Sequence, residues 1–352
     1  MGFTADQPGP EVPPAGRRRR HQGDGEGEGE SGAARADSVS LCGVLNVLKP
    51  PGYTSHDVVA RVRRLLGVRR IGHTGTLDPG AAGVLVLCVG RATRLVDLLQ
   101  ADDKAYRFEL VLGVHTDSHD AFGAPVAVRR DMQVRRDALD AAVARFQGDI
   151  EQVPPMTSAL KRHGRRLYEL ARQGLEVERP ARRVRIYSLR VVRVVPDAAV
   201  LPFGTRVLLD VVCSKGTYVR TLCADLGQAL GCGAYMSFLL RTRAGAFHLA
   251  DARTLEELEG DLARGALPLI GMDEALGHLP AVRLSQEGAR RVAHGQEAGP
   301  ADLAEGTDAA WPPDGRLTGP VRLHAPDGRL VAVADRAATA KGLRLRPRIV
   351  LI

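Results

Sequence analysis

The sequence predicts an α+β protein, and three observations carry that reading. Arg182–Val195 and Thr205–Cys213 are alternating, β-branched runs of the kind that pair as antiparallel strands. Val58, Val59, Val62, Leu65 and Leu66 instead fall on one face of a helix. Beyond about Pro280 the pattern turns β-rich again, with Val321–Leu323 and Leu330–Ala334 flanking the turn Ala325-Pro326-Asp327-Gly328. At roughly 100–200 residues per domain, 352 residues are enough for two.

Taken in order, residues 1–38 read as a disordered tail. Pro, Gly and charge dominate it, and Arg17 to Arg20 precede alternating Gly and Glu through Glu30. Order begins near Ser40 with a strand at Gly43–Leu48. Lys49-Pro50-Pro51-Gly52-Tyr53-Thr54-Ser55 then turns, and Ser55 is read as the N-cap of the helix that follows. An apolar strand covers 83–90, and Arg91–Leu95 opens a short helix. Asp103–Gly113 has strand character, with Tyr106, Phe108, Leu110 and Leu112 on one face. Thr116-Asp117-Ser118-His119-Asp120 is a polar turn that can cap itself, and no catalytic role is assigned to it. Ala138–Phe146 reads as a helix ending at Gly148. Arg283–His294 is read as one helix, 297–319 as a Gly/Pro/Asp-rich loop, and Leu345–Leu351 closes the chain.

Composition narrows the class. Lys and Arg number 49 against 41 Asp and Glu, giving a net charge of +8 and a pI near 9.6. A basic surface favours a polyanionic partner. The five cysteines are odd in number and include no Cys-x-x-Cys pair, so neither a disulfide framework nor a zinc site is expected. The N-terminus carries no apolar signal-peptide core, and no run of about 18 apolar residues occurs. The reading is a cytoplasmic protein without a membrane partner.

The most informative stretch is Arg69-Arg70-Ile71-Gly72-His73-Thr74-Gly75-Thr76-Leu77-Asp78-Pro79-Gly80, followed by Ala81-Ala82-Gly83-Val84-Leu85. Glycines at 72, 75, 80 and 83 can take positive φ and let backbone approach a ligand. The loop carries one imidazole, His73, and one carboxylate, Asp78, pinned by Pro79. A phosphate cradle fits poorly. No Lys follows either glycine of a Walker spacing, and a dinucleotide fingerprint needs strand, loop, helix where this chain has helix, loop, strand.

The string resembles the catalytic motif of the TruB family of pseudouridine synthases, close to Gly-His-x-Gly-x-Leu-Asp-Pro-x-Ala-x-Gly-x-Leu. Gly72, His73, Gly75, Leu77, Asp78, Pro79, Ala81, Gly83 and Leu85 match it. Gly80 stands where Leu is usual and Ala82 where Thr is usual, so altered packing and intact chemistry are expected. Lys49 to Ser55 resembles the family's first motif. Pro154-Pro155-Met156-Thr157-Ser158-Ala159-Leu160-Lys161, the following Gly164 to Gly174, and Ser214-Lys215-Gly216-Thr217-Tyr218-Val219-Arg220 are further strings of that family. The resemblance is strong over about 40–250 and softer beyond.

The resemblance implies a pseudouridine synthase fold: a mixed, largely antiparallel central sheet flanked by helices, over 39–279. It also implies an RNA-clamping insertion at about 124–180 and a small PUA-like β domain at 280–352. It implies isomerisation of uridine 55 in the T-stem-loop of tRNA, without cofactor, metal or guide RNA, by a chain we expect to be monomeric. Asp78 is then the nucleophile or electrostatic catalyst and Arg220 its partner. Tyr218 is the candidate acid/base, Tyr106 stacks on the flipped uracil, and Leu239 supplies an apolar wall. Tyr218 and Arg220, two apart, are read as sharing one side of an extended segment. His73 fills the space of the flipped nucleotide or, as a second choice, moves a proton. Lys49 either contacts phosphate or braces the loop. Lys161, Arg162, Arg165, Arg166 and Arg172 form a basic cluster suited to backbone phosphates. The four N-terminal arginines are an RNA-binding arm or, more simply, part of a solvated tail.

Two other classes fit less well. A nucleoside glycosidase ordinarily uses two carboxylates, and the motif supplies one. A purely RNA-binding protein has no need of Asp78, Tyr218 and Arg220 together. A guide-RNA-dependent relative is the third alternative, and the long 124–180 insertion resembles instead the stand-alone bacterial form, which recognises the T-stem-loop directly.

Overall fold

The computed structural model describes residues 41–352 apart from 159, 163, 172, 176, 306–318, 340 and 341. The tail at 1–38 and Arg172 of the basic cluster therefore lie outside the described residues. Strand β1 (Gly43–Lys49) leads through helix α1 (Ser55–Leu66) to a short strand β2 (Ile71–His73) and then to β3 (Ala82–Val89). Helix α2 (Val96–Gln100) precedes β4 (Lys104–Leu112). A small hairpin of β5 (Val114–Thr116) and β6 (Pro125–Val128) follows, then β7 (Val134–Arg135), α3 (Arg136–Arg145) and β8 (Gly148–Gln152). A second hairpin, β9 (Lys161–Arg162) with β10 (Arg165–Arg166), carries α4 (Leu167–Ala171). The long β11 (Arg182–Val195) runs through β12 (Val200–Leu201) into β13 (Arg206–Cys213), α5 (Val219–Ala229), β14 (Ala234–Ala244) and β15 (Phe247–His248). Helices α6 (Leu255–Ala263) and α7 (Met272–Ala275) lead to β16 (Ala281–Arg283), α8 (Gln286–Ala293), β17 (Val321–His324), β18 (Leu330–Thr339) and β19 (Gly342–Val350).

The main sheet runs β1-β3-β14-β4-β13-β11-β8, with β2 on β3 and β15 on β14. Its pairings are antiparallel except β14 on β3, which is parallel at Leu240↔Ala82 and Arg241↔Gly83. That one parallel contact sets Leu239 and Arg241 beside the Asp78 loop. β11 and β13 pair antiparallel, as their alternation predicts. The face bearing Phe108, Leu110, Leu112 and Leu209 is covered by α3 and α5, and Leu77 and Ala81 join the same core. The loop carrying Asp78 is thus anchored on either side by apolar burial.

The C-terminal strands form a second sheet, β16-β17-β18-β19. It has its own core, including Val282, Val292, Val321, Leu323 and Leu345. Leu330, Val333 and Leu351 also reach into a cluster with Val44, Val84 and Val86 of the main sheet. Among the described residues, no helix is long and apolar enough to cross a membrane.

Three expectations need correction. Thr54, not Ser55, caps α1: its side chain accepts from the backbone N of Asp57 while the Asp57 carboxylate accepts from Thr54 N. Arg220 is not on an extended segment. Tyr218 is the extended N-cap residue and Arg220 lies in the first turn of α5, its β-branched neighbours notwithstanding. Within 124–180, Val134, Leu139, Ala142 and Val143 pack into the main core and β8 pairs with β11. The helix read at 283–294 begins at Gln286 behind the N-cap Ser285, since Ala281–Arg283 pairs as a strand.

Candidate active site

The Asp78 loop is fixed by hydrogen bonds from three directions. Ser55 is buried, and its hydroxyl donates to Leu77 O (3.2 Å) and accepts from Leu77 N (2.9 Å). Lys49 is fully buried; its Nζ donates to the carbonyls of Pro50 (2.9 Å), Pro79 (3.2 Å) and Ala81 (2.6 Å). Arg241, also buried, donates to Val84 O (2.6 Å) and Gly75 O (3.0 Å). Ala81 N closes the turn on Asp78 O at 3.0 Å. Gly75 and Gly83 take φ of +151° and +115°, while Gly72 and Gly80 do not need positive φ. At Gly83 a Cβ would lie 2.2 Å from Arg241 O, so close strand approach also demands glycine there.

Asp78 lies on a cleft of about 970 Å3 whose lining includes His56, Phe122, Thr157, Arg220, Phe238 and Leu239. About 35% of its side chain is open to that cleft. Arg220 is buried behind it. Its Nη2 donates to Asp78 Oδ1 (3.2 Å), and its Nε lies 3.2 Å from Asp78 Oδ2. The same guanidinium donates to the hydroxyl of Thr157 and to its carbonyl (2.9 Å), and stands 3.8 Å from Asp120 Oδ2. Burial pushes the Asp78 pKa up; Arg220 opposes the rise and Asp120 adds to it.

The other sequence-chosen residues fall into three groups. Leu239 is buried on the cleft wall, and Tyr106 packs against the same core beside Arg241. Burial raises the Tyr106 and Tyr218 phenol pKa values, so both stay neutral at ordinary pH. Tyr218 is oriented through its backbone by the buried amide of Gln152: Tyr218 N donates to Oε1 (3.0 Å), and Nε2 donates to Tyr218 O (3.3 Å). Its phenol lies beside Ser158, close enough to Arg220 and Asp78 to feel both charges.

His73 and Lys49 sit behind the cleft. His73 Nδ1 accepts from Gly75 N at 3.3 Å, and its ring meets His56 edge-on with centroids 5.6 Å apart. Burial, then His56 and Arg241, lower its pKa to about 4, so it is neutral. His56, not His73, lines the cleft. Lys49 is not available to a phosphate, because its three donor contacts are all backbone carbonyls of the turn and loop. In the basic cluster, Arg165 is exposed and donates to Gln173 Oε1 (2.8 Å). The side chains of Lys161, Arg162 and Arg166 lie outside the described set.

Sequence reasoning missed Asp120, Thr157, Gln152 and Arg241. Each was present in a quoted or adjacent string, but without a signal that it would converge on residues far along the chain. All five cysteines are free. Among the described residues, no group of three or more His, Cys, Asp or Glu is placed to hold a metal ion.

Comparison with known proteins adds to this geometry. A solved Cbf5-Nop10-Gar1 complex contains a chain of similar fold, with TM-score 0.65 and 28% identity over 88% of this chain and 85% of that one. An H/ACA RNP bound to a substrate RNA containing 2'-deoxyuridine gives TM-score 0.64 at 26% identity, with the same coverage. The fold is that of the pseudouridine synthases. Residues 63–219 match the family model described as TruB family pseudouridylate synthase (N terminal domain), and 220–266 match the tRNA pseudouridylate synthase B C-terminal domain. The chain is 50% identical over 312 residues to the tRNA pseudouridine synthase B of Moorella thermoacetica, spanning 88% of this chain and 99% of that protein. It is 55% identical over 253 residues to the tRNA pseudouridine synthase B of Symbiobacterium thermophilum, covering 72% of this chain and 82% of that protein. The chain belongs to the TruB family.

Proposed function

We propose that this chain isomerises uridine to pseudouridine at position 55, in the T-loop of tRNA. The observation that supports this most is Asp78: a part-open carboxylate on a cleft, held by a buried Arg220 at 3.2 Å, on a loop fixed by Ser55, Lys49 and Arg241. The reaction breaks the bond between uracil N1 and ribose C1', turns the base, and joins C1' to C5. The C5 proton leaves and the freed N1 takes up a proton, so atoms balance without an added reactant.

Asp78 acts as the carboxylate of that exchange, by attack on C1' or on C6 or by assisting loss of the ribose C2' proton to a glycal. All three routes need it ionised, and the Arg220 contact favours that form against burial. Arg220 also sets its orientation, since Thr157 fixes the guanidinium plane. Tyr218, neutral and near both charges, is suited to donate or relay the proton. Tyr106 and Leu239 supply the apolar surface against uracil. The base must leave its stack to reach them, at a cost of a few kcal/mol. Lys161, Arg162, Arg165 and Arg166 hold the RNA backbone, and His73 supports the flipped state from behind His56.

We read the chain as a monomer acting on tRNA directly in the cytoplasm, with a domain boundary near residue 280 that the separate C-terminal core supports. The Cbf5 structures are of multi-subunit complexes, which makes guide-dependent action the second reading. Incubation of the purified chain with an unmodified tRNA transcript, followed by chemical mapping of pseudouridine, tests both. Modification at position 55 without added RNA or protein supports the proposal. Modification elsewhere, or only with an added guide, overturns it.

A further inference from the structure

Phe122 is 82% exposed, the most exposed large hydrophobic side chain among the described residues. It is nevertheless not on a loose loop. Phe122 N donates to Asp120 Oδ1 (3.0 Å), and Ser118 Oγ donates to the same oxygen (2.6 Å). Ala121 N donates to Met236 O (2.9 Å), and Met236 N to His119 O (2.9 Å), tying the turn to β14. The ring lines the same cleft as Asp78 and Phe238. It lies over Gly80, two residues beyond Asp78. A Cβ on Gly80 would come within 2.3 Å of Phe122 Cε2 and 2.8 Å of Cζ. The ring therefore occupies the place of a side chain at 80, one of the two positions at which this chain departs from the motif it resembles.

A lone exposed Phe is ordinary on a protein surface. A rigidly mounted one at the mouth of a cleft that must receive an unstacked base is placed to offer a flat face to RNA. We propose that Phe122 is a substrate-binding residue that stacks on a nucleobase adjoining the flipped uridine, and that Gly80 provides the clearance for its ring. This rests on the tRNA reading above.

The test compares steady-state KM and saturating kcat on an unmodified tRNA transcript. The variants are Phe122→Ala, Phe122→Leu, Phe122→Trp, Gly80→Leu and the double Gly80→Leu/Phe122→Ala. Phe122→Ala is expected to raise KM roughly tenfold, as loss of one base–aromatic stack does, with kcat nearly unchanged. Phe122→Leu, which keeps bulk and loses the flat face, is expected to match it, while Phe122→Trp stays near wild type. Gly80→Leu pushes the ring aside and gives the same defect, and the double variant is no worse than either single one. The inference is overturned by Phe122→Leu behaving as wild type, or by Gly80→Leu rescuing Phe122→Ala in the double variant, because the ring then only fills space. A wild type active on tRNA with Phe122→Ala unchanged in KM overturns this inference alone. A wild type inactive on tRNA overturns the functional reading and this inference together.

Discussion

Replacing Lys49 by Met removes the donor that holds the Asp78 turn from beneath. Ala81 O and Pro50 O lose their Lys49 contacts, while Pro79 O keeps Gly52 N at 2.8 Å. A buried acceptor left unpaired costs about 1–3 kcal/mol; Ala81 O is buried and Pro50 O only part-buried, so the two together cost about 1–6 kcal/mol. Against this, burial lowers the Lys49 pKa from 10.5 to about 8, with Asp78 partly offsetting it. At 1.36 kcal/mol per pKa unit, holding that charge at neutral pH costs about 3 kcal/mol. Met is free of that penalty, so stability at pH 7 changes by between a gain of about 2 kcal/mol and a loss of about 3 kcal/mol. Catalysis has no such offset, because a displacement of about 1 Å in a reacting group costs about a hundredfold.

The sign of the pH dependence is separate from this. Between about pH 8 and 10.5 the unfolded chain holds the Lys49 proton and the folded chain does not, so stability rises with pH across that window. Urea unfolding at pH 7 and pH 10 should therefore show the wild type gaining about 2–3 kcal/mol relative to Lys49→Met. Single-turnover assays at pH 7 should show kcat down by about 10- to 100-fold. A variant with full kcat, or with the same pH dependence of stability as wild type, refutes the bracing role.

Further outcomes follow from the same geometry. Arg220→Lys keeps a cation but loses the fork shared between Asp78 and Thr157; single-turnover rates should fall about a hundredfold. Activity should decline as pH drops through a midpoint above the usual Asp value, and Asp120→Asn should move that midpoint to lower pH, because Asp120 helps raise the Asp78 pKa. An unmoved midpoint in a pH–rate profile contradicts this. Gly83→Ala must accommodate φ of +115° and a Cβ 2.2 Å from Arg241 O; thermal unfolding should show a loss of about 2–5 kcal/mol. His73→Ala should leave the pH–rate profile between pH 6 and 8 unchanged in shape, since His73 is already neutral there.

Much of this site could be read from the chain because its chemistry is local. Gly72 to Leu85 holds the carboxylate, the glycines and the anchoring Leu77 and Ala81 in one run. The alternation of Tyr106, Phe108, Leu110 and Leu112 also identifies the face of β4 that meets the core. What escaped was set by tertiary contact. Thr54 and Ser55 are both cap-type residues; Asp57 completes a capping box for Thr54 alone, and the Ser55 hydroxyl is instead engaged with Leu77. Thr217, Val219 and Thr221 look extended, yet packing on the main core makes 219–229 helical. Arg220 meets Asp78 across 142 positions and Thr157 across 63, and no periodicity reports such a meeting. The burial of Lys49 was equally invisible, because a lysine beside Pro-Pro-Gly reads as surface until the loop folds over it.

The most direct measurement is tritium release from C5 of uridine in an unmodified tRNA transcript, with wild type and Asp78→Asn compared. Asn matches Asp in shape and its one oxygen can still accept from Arg220, while the charge and the second contact are removed. The wild type should release one tritium per tRNA. Asp78→Asn should release none above background while still binding the transcript and unfolding as a cooperative unit. Release by Asp78→Asn within tenfold of the wild-type rate would contradict the assignment of the reaction to this carboxylate.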